Sequence, residues 1–336
     1  MKFNVLDQSP IRRGLTPAGA LAETVELAKH CESAGYYRYW VAEHHNHPTI
    51  TGSSPELLMM KIGAETSKIR IGSGGVMLPN HAPLKVAENF RMLETFYPGR
   101  VDLGIGRASG SDMKAAVALR SGPTSYELST YPQLVDSVRM FLKDAIGESG
   151  FPDGHPFKGV RAFPTGEGMP DMWLLGSSNE SAGIAASLGL PYSFAHFINP
   201  HNTGKAVDYY RAHFKALRSS ATPKVSIGVS AVVANTKQEA ETLAAPIRLW
   251  LLRTLRGEML PFPTTTEAES YNYNAHERAH LDAIIRSDLI GSPREVYGNL
   301  VKFAKHHAAD ELIILTITPD PEARIRSYEL LAENFH

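Results

Sequence analysis

Eight short runs rich in β-branched and aromatic residues, at 3–6, 37–42, 69–73, 101–105, 172–175, 192–195, 225–233 and 311–316, alternate with longer segments of helical period. Such alternation marks βα units, in which each strand runs parallel to the last and a helix returns the chain. Eight strands, each followed by at least one helix, predict an α/β fold of the closed (β/α)8 TIM barrel type. An open doubly wound sheet would share the alternation and is the competing arrangement. Helices are expected over 16–33, 55–66, 83–96, 127–144, 180–188, 201–217, 237–253, 293–307 and 321–332. Pro55, Pro83, Pro293 and Pro321 suit first-turn positions, where the missing N–H would have had no helical acceptor.

Two stretches break the rhythm and are read as insertions at the C-terminal face of the barrel. The first, about 147–170, is rich in Gly and Pro and is expected to form a short hairpin. The second, about 260–285, opens with Pro261, Pro263 and three threonines, and reads either as a lid or as a surface loop. No linker divides the chain, so residues 1–336 are read as one domain.

Charge narrows the function classes. The 34 basic and 35 acidic residues nearly cancel, and no block of like charge occurs, which speaks against a nucleic-acid partner. No stretch approaches the roughly 18 consecutive apolar residues of a membrane span, and the N-terminus lacks a basic-then-apolar leader. The expectation is a cytoplasmic protein acting on a small molecule. Cys31 is the only cysteine, so neither an internal disulfide nor a cysteine-based zinc site is available.

In a parallel barrel the carboxyl ends of the strands gather at one face, and the chemistry is sought there. Glu43, His44, His45 and His47 follow the second strand, a cluster suited to binding metal, moving protons or simply meeting solvent. No metal is expected, because the first strand ends Asp7-Gln8-Ser9, the fifth ends Ser177-Ser178, and only His196 repeats the theme. Gly74-Gly75 ends the third strand, leaving room for a flat ring or forming a bulge. Asn80 and His81 follow, facing the pocket or capping the helix that starts at Pro83. The fourth strand runs into Gly104-x-Gly106-x-x-x-Gly110, one residue off a dinucleotide fingerprint and without its N-terminal βαβ context. Arg107, within it, offers either a bidentate fork for phosphate or a salt bridge to a loop acid. Gly176-Ser177-Ser178-Asn179-Glu180-Ser181 reads as strand, turn and helix start, where hydroxyls and free N–H groups serve a phosphate or an ordinary cap.

Taken in order, Glu43-His44-His45, the segment 72–79, the run from Pro98-Gly99-Arg100 to Arg107, and Gly176-Ser177-Ser178 leading to Gly189-Leu190-Pro191 resemble the bacterial luciferase-like family of flavin-dependent monooxygenases. The resemblance covers 3–191 and, with fewer motifs, the C-terminal half. It implies a barrel that is usually dimeric and binds FMN in its reduced form, FMNH2, at the strand ends. Carried over, Arg107, Ser177, Ser178 and Ser181 would hold the FMN phosphate, and Gly74-Gly75 would form a non-prolyl cis peptide beneath the isoalloxazine ring. His44 would be the catalytic histidine, which asks for a pKa near the working pH, while Glu43, His45 and Asn80 would line the substrate pocket.

The implied reaction combines FMNH2, supplied by a separate flavin reductase or reduced in place, with O2. A flavin peroxide then transfers one oxygen atom to a small organic substrate. Light-emitting luciferases carry a cysteine where this chain has Gly106 and an acidic residue where it has Ser177, so the resemblance is to a nonluminescent subgroup. The alternatives are a deazaflavin-dependent oxidoreductase of the same fold, a non-catalytic flavin-binding protein and, outside the class, a metal-dependent barrel hydrolase.

Overall fold

Strand pairing decides between barrel and open sheet. The computed structural model describes residues 1–119, 128–217, 221–258 and 260–335. The chain begins with β1 (Lys2–Asp7), α1 (Pro17–Ser33), β2 (Arg38–Val41), α2 (Pro55–Glu65), β3 (Arg70–Met77), α3 (Pro83–Phe96) and β4 (Val101–Gly106). It continues through α4 (Met113–Leu119), α5 (Tyr131–Ala145), β5 (Asp171–Gly176), α6 (Asn179–Ser187), β6 (Tyr192–Ala195), α7 (Thr203–His213) and β7 (Val225–Ser230). The last part holds β8 (Val232–Val233), α8 (Lys237–Leu255), α9 (Thr265–Ser270), α10 (Ala275–Ile284), β9 (Ile290–Gly291), α11 (Pro293–His306), β10 (Glu311–Leu315) and α12 (Pro321–Ala332).

β1 pairs in parallel with both β2 and β10, so the sheet closes in the order β1-β10-β7-β6-β5-β4-β3-β2. All eight expected strands stand in this barrel, and the open sheet is excluded. Among the described residues no helix is long and apolar enough to cross a membrane.

Three expectations need correction. The run 225–233 is not one strand: the chain leaves the barrel at Ala231, whose N–H donates to Leu315 O at 3.2 Å and whose carbonyl accepts from Thr316 Oγ1 at 2.8 Å. Val232 and Val233 then pair with Ile290 and Gly291 in a separate two-stranded parallel sheet. The stretch 147–170 holds no hairpin, only turns. Two of its carbonyls are taken by an arginine, with Arg91 Nε donating to Pro164 O at 2.9 Å and Nη1 to Gly168 O, and others close local turns. That stretch also joins α5 to the start of β5, so it lies at the amino ends of the strands; only the second insertion gathers at the C-terminal face. The helix expected from residue 127 begins at Tyr131, and residue 127 itself lies outside the described residues.

Alternate residues point inward, and the barrel fills from the bottom. The lowest layer is charged. Arg38 Nη1 meets Asp102 Oδ1 at 2.6 Å and its Nε meets Glu311 Oε2 at 2.9 Å, all three side chains being about 1% exposed or less. Trp40 Nε1 donates to Asp102 Oδ2 at 2.9 Å, and Lys224 Nζ reaches Glu311 Oε1 at 2.7 Å. Burial alone would discharge Arg38, but Asp102 and Glu311 outweigh it and raise its pKa. Above this layer Leu6, Trp40, Trp173 and Ile313 form an apolar plug, the two indoles meeting edge to face at 5.6 Å. Such a charged layer tolerates no missing partner. Arg38→Met takes the shared partner from two buried carboxylates, leaving Asp102 to Arg70 and Glu311 to Lys224, and is expected to lower the unfolding free energy by about 3–5 kcal/mol in urea titrations at pH 7. Glu311, with its pKa lowered by Arg38 and Lys224 against burial, contributes fully above the ordinary 4.5 and loses that contribution as pH falls through the lowered value.

Candidate active site

Over the apolar plug the inward positions become glycines. A Cβ on Gly104 would stand 2.2 Å from Ser73 O, and one on Gly75 would stand 2.8 Å from Gly104 O, so no side chain fits at either place. The pairing of β3 with β4 slips between Gly74 and Val76, and the Gly74-Gly75 peptide is cis. Bulge and cis peptide therefore occur together, and they give the barrel mouth a bare backbone floor between Leu6, Trp40 and Leu175.

The loop after β2 brings its histidines to this mouth. His44 N–H donates to Gly52 O at 2.7 Å and His45 N–H to Gly110 O at 2.9 Å, pinning the loop on both sides. His44 as a residue keeps some exposure, but its ring Nδ1 is sealed from solvent and has no partner. Burial, with His47 as the next contributor, drives its pKa down to about 4. The resemblance asked for a pKa near the working pH; the pocket instead keeps His44 a neutral imidazole.

Glu43 lies beneath the rim, 1% exposed. Its Oε1 accepts from Nε2 of both His45 and His81, each at 2.8 Å, and its Oε2 accepts from the Met77 amide at 2.9 Å. Burial disfavours the carboxylate, but the His81 and His45 contacts and the amide overcome it and hold its pKa below the ordinary value. Glu43 thus holds the pocket together from behind. Asn80 is buried too, donating through Nδ2 to Ser109 O at 2.8 Å while its Oδ1 is without a partner. His81 lies with Glu43 and does not cap the helix at Pro83, which has no side-chain cap.

Across the mouth, at the end of β5, α6 begins with Ser178 as its N-cap. Ser178 Oγ accepts from the Ser181 amide at 3.2 Å and Ser181 Oγ from the Ser178 amide at 3.3 Å, a reciprocal cap. Two first-turn amides, of Asn179 and Glu180, are left without an intrahelical acceptor. Ser181 is buried and shares a hydrogen bond of 2.9 Å with Tyr192 Oη, a partner that no local pattern around Tyr192 announces. Ser177 and Ser178 stay half-buried at the opening. Arg107 forms an ion pair with Glu180, so the salt-bridge reading holds, and it brings the guanidinium to the α6 N-terminus. Glu180 is largely exposed, at 64%, and Arg107 lowers its pKa. A cation, two hydroxyls and two free amides on one helix start fit a phosphate group.

Apart from His45 and His81, which share Glu43, these histidines do not converge on one point. His45 faces Glu43, His47 Nδ1 shares a hydrogen bond with Thr49 Oγ1 at 3.1 Å, and His196 Nδ1 one with Thr203 Oγ1 at 2.8 Å. Among the described residues no three His, Cys, Asp or Glu side chains are grouped to hold a metal ion. The 260–285 segment is built, not loose: Thr264 with Glu267 and Asn274 with Glu277 form capping boxes on α9 and α10. Phe262 is buried near Trp250, whose Nε1 donates to Thr49 Oγ1 at 3.0 Å, so the segment packs toward the His44 loop.

Known proteins share this arrangement over their whole length. The pattern described as luciferase-like monooxygenase matches residues 1–309. The Bacillus subtilis (strain 168) protein named uncharacterized protein YceB is 38% identical over 333 residues, covering 99% of each chain. The N-acetyl-S-alkylcysteine monooxygenase of the same organism is 33% identical over 334 residues, covering 99% of this chain and 98% of its own. The crystal structure of apo-MsnO8 superposes with a TM-score of 0.89 at 39% identity, covering 99% of this chain and 98% of that one. With a full-length barrel, matching motifs and relatives of this kind, the chain belongs to the luciferase-like monooxygenase family of oxidoreductases.

Proposed function

We propose that the protein uses reduced FMN and O2 to insert one oxygen atom into a small organic substrate. The observation that carries this reading is the placing of a phosphate cradle, Arg107 with the α6 N-terminus, across the barrel mouth from a bare glycine floor and a neutral histidine. Arg107, Ser177, Ser178 and the Asn179 and Glu180 amides would hold the FMN phosphate, with Ser181 fixing Ser178. Gly74, Gly75 and Gly104 pack backbone to backbone and against Leu6 and Leu175 with no side chain between, and would give a planar ring a flat surface to lie on. When bound, the reduced flavin supplies the activation of O2 and the delivery of one oxygen atom.

The chain's own residues supply placement and proton control. His44, neutral and partly exposed, would accept a hydrogen bond or a proton from the reacting group through the part of its ring that is not sealed. Because its pKa is lowered to about 4, the acceptor form persists down to that pH and is lost below it. The 260–285 segment rests through Phe262 on Trp250 of α8, which holds Thr49 in the His44 loop, and would keep water from that side. Electrons would come from a separate flavin reductase, a division of labour suited to the cytoplasm. The name of the N-acetyl-S-alkylcysteine relative puts alkyl thioethers first in a substrate screen.

A homodimer completes the proposal. Leu21, Leu57, Met92 and Phe96 stand exposed on α1, α2 and α3, Leu57 at 72%, beside a groove whose rim carries Glu26, Lys29, Lys61 and Glu65. Both signs on one rim let a second copy meet the same face.

Three measurements test these statements. Titration of the protein with FMN, and anaerobically with FMNH2, is expected to show tight binding of the reduced form; binding of neither sinks the flavin reading. Arg107→Ala removes a charge-assisted contact of about 1.5–3 kcal/mol and is expected to weaken FMN binding roughly 10- to 100-fold. His44→Ala is expected to leave FMN affinity within about threefold while substrate-dependent O2 uptake falls by about 10²-fold or more. Light scattering during gel filtration is expected to give twice the chain mass, and Leu57→Glu to halve it.

A further inference from the structure

Two strand ends meet at one carboxylate, and the loop after a third presses on its backbone. Oε1 of Glu43 takes the Nε2 protons of His45 and His81, and Oε2 takes the Met77 amide. Met77 is the last residue of β3, two beyond Gly75; His45 is bonded to His44; and the Glu43 backbone is pressed against the loop after β4. A Cβ on Gly110 would come within 2.8 Å of Glu43 O, and Gly110 O accepts from the His45 amide at 2.9 Å. His44, by contrast, has no side-chain partner at Nδ1. Its orientation therefore depends on the backbone that Glu43 fixes.

We propose that Glu43 and His81 are a positioning pair for the pocket, an inference that rests on the flavin reading: by clamping His45 and the Met77 amide to one buried carboxylate, they hold the His44 imidazole in register with the Gly74-Gly75 floor. Neither residue needs to touch the reacting atoms; both act through His44 and the end of β3. The groups facing the pair are His44 and His45 from the β2 loop and Glu56 from α2. Burial disfavours charge on His81, but Glu43 and then Glu56 overcome it and raise its pKa. The His81 contribution is complete below the ordinary 6.5 and is lost as pH rises through the raised value. The Glu43 contribution is complete above the ordinary 4.5 and is lost as pH falls through the lowered value. The hold is strongest between those limits.

The test uses the full chain with 15N-labelled histidine. The pH titration of the His44 ring nitrogens is followed by NMR, and FMN affinity by fluorescence quenching, in wild type, Glu43→Gln, His81→Ala and His81→Gln. In the wild type His44 is expected to stay neutral down to about pH 4. In His81→Ala it is expected to titrate at least one pH unit higher, with FMN binding weakened tenfold or more; in Glu43→Gln the loss of the nearby negative charge by itself lowers the His44 pKa, so there the tenfold loss of FMN affinity is the readout. His81→Gln keeps an N–H at similar reach without the charge. It is expected to restore both properties at pH 6 and to remove the decline in affinity toward alkaline pH.

A lower melting temperature in the variants with His44 titration and FMN affinity unchanged would overturn the proposal. If Glu43→Gln does not fold, the contrast between His81→Ala and His81→Gln decides. If the wild type binds no flavin, the flavin reading fails by itself, and the His44 titration still shows whether the pair positions that ring.

Discussion

Everything above the barrel's equator depends on Arg38 being neutralised below it. A guanidinium held between Asp102 and Glu311, and lying 5.0 Å from the Trp173 ring, closes the amino end of the barrel with groups too large and too well bonded to shift. Trp40 uses its N–H on the same Asp102, so the charged layer also sets the angle of the indole above it. With the lower volume filled in this way, β3 and β4 can carry glycine at their upper inward positions without leaving the barrel hollow. The bare floor is the upper surface of a packed column, which is why it can serve as a rigid platform.

A second buried network does for the wall what the first does for the interior. Arg324 on α12 bonds Asp7 at 2.7 Å and Glu23 at 3.1 Å, and donates to Thr316 O at 2.8 Å. Tyr39 Oη donates to the other Asp7 oxygen at 2.6 Å. Strands β1, β2 and β10 are thereby tied to helices α1 and α12 across the seam where the first and last strands meet. Burial works against the Asp7 carboxylate, but Arg324 and Tyr39 prevail and lower its pKa, so the seam stays charged and joined at neutral pH.

The barrel was legible because its information is local and periodic. Each strand announced itself through a few consecutive residues, and their number pointed to a barrel, while closure itself rests on the pairing of β1 with β10. What was not legible depended on distant partners. The exit of the chain at Ala231 answers to Leu315 and Thr316, more than eighty residues on, and the absent hairpin answers to Arg91, whose donors replace a ladder. The site divides in the same way. Arg107, Ser178, Ser181 and the two glycines could be read from short motifs, because a helix start or a bare strand end is a local fact. Glu43 could be picked out as a candidate, but not as the hub that joins the ends of β2 and β3, since His81 and Met77 reach it only through the fold. The neutrality of His44 was hidden as well: it follows from how deeply the ring sits, and burial is a property of the assembled pocket.

The small sheet of β8 and β9 has a consequence of another kind. Val232 pairs with Ile290 and Val233 with Gly291, so the chain between them leaves and returns at neighbouring points a few ångströms apart. The whole excursion, with α8, α9 and α10, is a cassette with fixed ends, fastened outside the barrel ladder. Lengthening, shortening or exchanging its distal part changes what faces the mouth while the barrel's pairing is untouched. A fold arranged in this way can change what it admits to the pocket by replacing one segment and still keep the same floor, histidine and cradle.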